Sequence, residues 1–209
     1  MPHLSPLKGN HVNLIVSTPL QTFALTTLLA VSLASHAQTS TKDFAGEPDQ
    51  SMAAAHDSFV KGDMKKAGND IDKASAYVKT ESGHVAKAAR TDLTKAGAEL
   101  DKLGNAIKAG TVKSDDEMKK TFAKVDNSLA SAYHQTAAES QKAGKDAGAD
   151  LKKAGMALEG AAKWSGNTLQ EGAQASVDGI KKGVQASDEQ IGKWFKGIGD
   201  GIKDLGHKM

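Results

Sequence analysis

Residues 142–207 read KAGKDAGADLK, KAGMALEGAAK, WSGNTLQEGAQ, ASVDGIKKGVQ, ASDEQIGKWFK and GIGDGIKDLGH, six consecutive units of eleven. The sixth place of every unit is apolar: Ala147, Leu158, Leu169, Ile180, Ile191 and Ile202. Eleven residues make about three helical turns, so a residue recurring at that interval stays on one side of a nearly straight rod. Other places add Leu151, Ala162, Val184, Trp194, Phe195, Ile198 and Leu205, while most eleventh places are polar. The spacing predicts an amphipathic helical tail over residues 140–209, offering one long apolar stripe and about 100 Å long as a single helix. Its candidate membrane- or partner-contact face is Leu158, Leu169, Ile180, Val184, Ile191, Trp194, Phe195, Ile198, Ile202 and Leu205.

Glycine complicates that rod. Thirteen of the 21 glycines lie between Gly144 and Gly206, and each costs roughly 1 kcal/mol relative to alanine inside a helix. Such a segment is expected to order when its stripe meets company: the preceding helices, another copy, or a lipid surface. The alternative reading is that the glycines mark places where helices cross closely.

Upstream the spacing alternates three and four, as in helices packed along a seam. Met52, Ala55 and Phe59 open the pattern after Pro48, and Gly62-Asp63 breaks it. Met64, Ala67, Ile71, Ala74 and Val78 follow, then Ala86, Ala89, Leu93, Ala96, Leu100, Leu103 and Ile107. Gly110 stops the third run. Ser114 with Glu117 reads as a capping box ahead of Met118, Phe122, Val125, Leu129 and Ala132. Short connections between amphipathic helices make neighbours antiparallel, so residues 48–139 read as an up-down-up-down four-helix bundle in an all-α protein.

Composition narrows the chemistry. The 209 residues contain no cysteine, which removes disulfides and thiolate sites, and aromatics are only 4%. A core of small residues returns little hydrophobic free energy per side chain, so modest stability is expected. Net charge is +2, and Arg90 is the single arginine. Nucleic-acid binders concentrate positive charge and use the arginine fork, so nucleic acid is not an expected partner.

Residues 21–34, QTFALTTLLAVSLA, are apolar over a signal-peptide length, and Ser35-His36-Ala37 places small residues for cleavage. Residues 1–37 are therefore expected to be a signal peptide cleaved near Ala37 and 38–47 a linker, giving an exported, periplasmic or extracellular protein. An uncleaved anchor is the alternative.

Catalytic, cofactor and metal constellations do not emerge. His56, His84 and His134 lack the HxxxH spacing that supplies metal ligands and read as solvated. No nucleophile elbow or phosphate-cradling loop follows a strand, because no strands are expected. The chain reads as no enzyme, with neither cofactor nor metal.

Units such as KAGKDAGADLK and KAGMALEGAAK, with their lysine-rich polar faces, resemble late-embryogenesis-abundant proteins and the exchangeable apolipoproteins. The resemblance covers the C-terminal third and implies helices that order at membranes, on lipid particles or during drying. The first helix pair, with its Gly62-Asp63 turn, resembles a tetratricopeptide-type hairpin. Two functions are expected from these residues. One is surface contact with a membrane or envelope through the C-terminal stripe, with a protective role under stress. The other is a protein-interaction or self-assembly module, in homo-oligomers or with a partner, whose tail completes a helical bundle.

Overall fold

Residues 47–182 and 186–209 are described in a computed structural model. They form helices wherever apolar side chains recur three and four apart. α1 spans Glu47–Val60, α2 Met64–Ser82, α3 Arg90–Lys108 behind a single 3-10 turn at Lys87–Ala89, and α4 Asp115–Lys142. α5 (Gly148–Ser165), α6 (Glu171–Lys181) and α7 (Asp188–Lys208) complete the chain. The fold is all-α, with no strand among the described residues. The expected leader over 1–37, the linker apart from Glu47, and Val184 lie outside the described residues.

The strict seam of the third run is turned wholly inward: Ala86, Ala89, Leu93, Ala96, Leu100, Leu103 and Ile107 are all buried. Met52 and Ala55 on α1, Ile71, Ala74 and Val78 on α2, and Met118, Phe122, Val125 and Leu129 on α4 meet them. Each such Leu, Ile, Met or Phe contributes about 1.5–3 kcal/mol by leaving water, before ordering costs. Helices α1 to α4 neighbour one another in chain order, and α1 also touches α4.

They do not enclose this core alone. Leu151, Leu158, Ile198 and Leu205 belong to the same buried cluster, and α5 packs along α4 as extensively as α2 packs along α3. The division expected near residue 140 is therefore no boundary of the core, which passes from α4 straight into α5.

The eleven-residue stripe also differs from the expected single rod. It is cut into α5, α6 and α7, which fold back on one another and on α4. The cut after α5 has a plain cause. Gly166 adopts φ 69°, the left-handed region that other residues enter only with strain, and its N–H reaches back to Ala162 and Lys163 carbonyls. Asn167 N donates to Ala162 O at 3.1 Å and closes the cap. α7 restarts at Ser187, whose Oγ accepts from Gln190 N while the Gln190 side chain accepts from Ser187 N, a full capping box. The box expected at Ser114 is not formed, since its side chain makes no capping bond.

Candidate functional site

Of the residues expected to face a membrane or partner, Ile180, Ile191, Trp194, Phe195, Ile198, Ile202 and Leu205 lie on a hairpin of α6 and α7 that packs on α5 and α4, while Leu158 lies on α5 and Leu169 in the loop that follows it. Leu158 on α5 and Ile198 and Leu205 on α7 are fully buried, and Ile180 on α6 is nearly so. Leu169, Ile191, Trp194, Phe195 and Ile202 are only half-buried. All of these except Ile191 pack against the core or form part of it. Val184 falls outside the described residues.

Glycine, alanine and serine build the surface on which this face rests. A β-carbon on Gly197 would overlap Ser176 Oγ and stand 2.6 Å from the Gly172 carbonyl oxygen. One on Gly201 would lie 2.8 Å from both Ala173 Cβ and Leu158 Cδ2, and one on Gly179 would strike the Trp194 ring at 2.6–3.0 Å. Gly155 lets Ile198 and Val177 approach to ordinary contact at 3.6 Å. These glycines are therefore close crossings between helices, the second of the two readings their density allowed. Side chains at these positions would hold the backbones apart, and the broad stripe would lose its shallow seat.

Polar anchoring of the hairpin is sparse. Lys181 reaches Glu159 on α5 at 2.9 Å, and His134 Nε2 on α4 lies 3.0 Å from the Phe195 carbonyl oxygen with its ring edge-on to Phe195 at 5.4 Å. The outer face of α7 is zipped along itself by Glu189–Lys193, Lys196–Asp200 and Asp204–Lys208. The lysine hydrogen bonds hold Glu189, Asp200 and Asp204 below the usual carboxylate range. Exposed pairs one helical turn apart stabilise a helix by only about 0.3–0.5 kcal/mol each, but they leave α7 without net pull toward either charge.

α5 is fixed differently, by a buried polar cluster. Tyr133 on α4 donates to Glu81 Oε2 at 2.6 Å, Tyr77 Oη lies 3.4 Å from Tyr133 Oη, and Lys153 Nζ of α5 stands 3.7 Å from Glu81 and 5.1 Å over the Tyr133 ring. Burial, then the nearby Tyr77 and Glu81, push the Tyr133 hydroxyl far above its ordinary value, so it stays a donor. Tyr77, Tyr133 and His84 gather at one end of the helices, as the antiparallel threading requires. The histidines are not simply solvated. His56 lies 3.3 Å from Asp115 and 5.8 Å from the Trp164 ring, His84 stands 3.6 Å from Glu81, and His134 holds Phe195.

Three buried carboxylates, Asp70, Glu81 and Asp126, escaped the sequence reading, and for the last two the signal was present. Asp126 stands four residues after Phe122 and four before Ala130, inside the apolar stripe of α4, and Glu81 stands three after Val78 in that of α2. An acid at a stripe position is a buried acid, whatever its type suggests. Among the described residues no three potential metal ligands converge. A crevice of about 700 Å³ opens between α1, α5 and the α5–α6 loop and is lined by Asp49, Met156, Glu159, Gly160 and Leu169, among others. Compared with family models, with curated proteins and with solved structures, the chain matches none.

Proposed function

We propose that this chain is an exported, non-catalytic helical protein that works by surface contact, and that its α6–α7 hairpin is the contact element. In solution the hairpin rests on α4 and α5; at a lipid surface it swings out and lays its apolar face into the headgroup boundary. One observation carries this reading: four bulky side chains on one face of α7, Ile191, Trp194, Phe195 and Ile202, are only partly buried, while the helix rests largely on small residues such as Gly172, Ala173 and Ser176. Transfer to a bilayer completes the burial of these four and keeps Ile198 and Leu205, buried in the folded core, out of water, and tryptophan favours the interface. The self-paired outer face lets α7 stay helical when detached. No helix among the described residues is long and apolar enough to cross a membrane, so contact lies in the plane of the surface.

The test follows Trp194 emission in the full-length chain carrying Trp164→Phe, titrated with phosphatidylcholine vesicles and separately with vesicles containing anionic lipid. A blue shift of similar midpoint in both is expected, because α7 has no net charge to favour the anionic surface. Emission that stays unmoved by either vesicle overturns the proposal.

A second reading, self-assembly or partner binding, is favoured by a shallow crevice of about 360 Å³ on the hairpin, lined by Gly172, Ala175, Ser176, Trp194 and Gly197 together with the charged Lys193, Lys196 and Asp200. Small residues of this kind admit another helix closely. Sedimentation that shifts with protein concentration, with no response to lipid, would select it.

A further inference from the structure

Asp126 sits in the middle of α4 with 1% of its surface exposed, and its Oδ2 has no hydrogen-bond partner. Facing it is Asp49 in the first turn of α1. The two acids close over Gly160 of α5, where a β-carbon would stand 2.5 Å from Asp126 Oδ2 and 3.0 Å from Asp49 Oδ1. Gly160 is thus the gap that lets two carboxyl groups meet. An ionised carboxylate only accepts hydrogen bonds, so two ionised acids at this point would leave Asp126 Oδ2 orphaned and add repulsion in a dry site. A single proton on Asp126 resolves both faults, since the orphaned oxygen becomes a donor and Asp49 its acceptor.

We infer that Asp126 carries a proton at neutral pH and donates it to Asp49, fastening the first turn of α1 to the α4–α5 crossing by a bond that is released as pH rises. Asp49 is suited to be the charged partner. It lies in the first turn of α1, where the positive end of the helix dipole favours an anion, and it borders the open crevice. The Trp164 indole N–H, buried without a hydrogen-bond partner, favours the charged form of Asp49.

Burial is what distinguishes the two acids: Asp126 is closed off from water, whereas Asp49 is only partly buried and borders the crevice. Burial raises Asp126 well above the carboxylate range, Asp49 raises it further by charge and hydrogen bond, and Lys163 of α5 opposes them. Burial raises Asp49 as well, and it stays above its ordinary value although Asp126, Trp164 and Lys163 pull against burial; Glu159 acts weakly upward. α1 brings one more titrating group, His56, which faces Asp115 of α4 rather than the pair. Among the described residues no ionisable group of α3 or α7 acts on Asp126.

The sign follows from linkage. A carboxyl that holds its proton more tightly in the folded chain than in the unfolded one contributes stability in acid. That contribution is lost as pH climbs from the ordinary carboxylate range through the raised value. The inference stands apart from the lipid proposal and does not involve the hairpin.

Thermal unfolding of the full-length protein from about pH 5 to about pH 9, wild type against Asp126→Asn, is the test. Asparagine keeps the shape and a donor but cannot ionise. The wild-type Tm is expected to fall by about 4 °C or more more steeply than that of the variant across this range. Every other ionisable group is common to both chains, so its contribution cancels. The carboxyl carbon shift of Asp126, followed by NMR, is expected to show protonation at neutral pH, and in Asp49→Asn its midpoint moves down. Parallel Tm profiles together with an ordinary carboxylate titration of Asp126 overturn the inference, and the NMR measurement on wild type decides it even if a variant fails to fold.

Discussion

Two glycines of α7 separate a packing role from a mere helix cost. At Gly192 a β-carbon would meet nothing within 4 Å, whereas at Gly197 it would meet a backbone oxygen that cannot step aside. Gly192→Ala is expected to stabilise the chain by about 1 kcal/mol through helix propensity, and Gly197→Ala to destabilise it by about 1–3 kcal/mol through overpacking. Urea unfolding of the two variants measures both signs, and equal signs would refute the close crossing. At Glu81, a buried acid that is 1% exposed, Tyr133→Phe removes the phenol that donates to it. Lys153 and His84 stand farther off, at 3.7 Å and 3.6 Å, and do not replace it. A loss of about 1–3 kcal/mol is expected from the same unfolding measurement.

The helix termini show how far a motif carries. Ser114-x-x-Glu117 and Ser187-x-x-Gln190 have the same form, yet only the second closes into a capping box. Ser187→Ala should therefore cost about 1 kcal/mol and speed amide exchange in the first turn of α7, while Ser114→Ala should leave α4 unchanged. Nothing in the structure explains why Ser114 stays open. The seam from Ala86 to Ile107 was fully legible, because a three-four alternation buries one face in any packed helix. The breaks at Gly166 and Ser187 were not, because an apolar residue every eleven positions fits one long rod and three shorter helices on a common seat equally well. Only the φ of Gly166 and the cap at Ser187 distinguish them. For the same reason the contact face could be named residue by residue, but not its degree of cover. Periodicity says which side of a helix is apolar and is silent on whether its own chain fills that side.

At the scale of the whole molecule, the all-α class followed from composition and spacing, while the continuity of the core from α1 to α7 did not. Residues as distant in the chain as Met52 and Leu205 share one cluster, and no local pattern encodes such long-range joining. What fills that cluster has a thermal consequence. Sixteen of the 37 buried apolar residues among those described are alanine, each bringing a single methyl group where leucine brings a branched chain. Melting such an interior wets little hydrocarbon, and the heat capacity of unfolding scales with the hydrocarbon wetted. Scanning calorimetry is expected to return less than the usual ~12–15 cal/mol/K per ordered residue. A small heat capacity increment lowers the curvature of stability against temperature, so this protein should lose little of its stability on cooling, where a leucine-rich interior would begin to weaken.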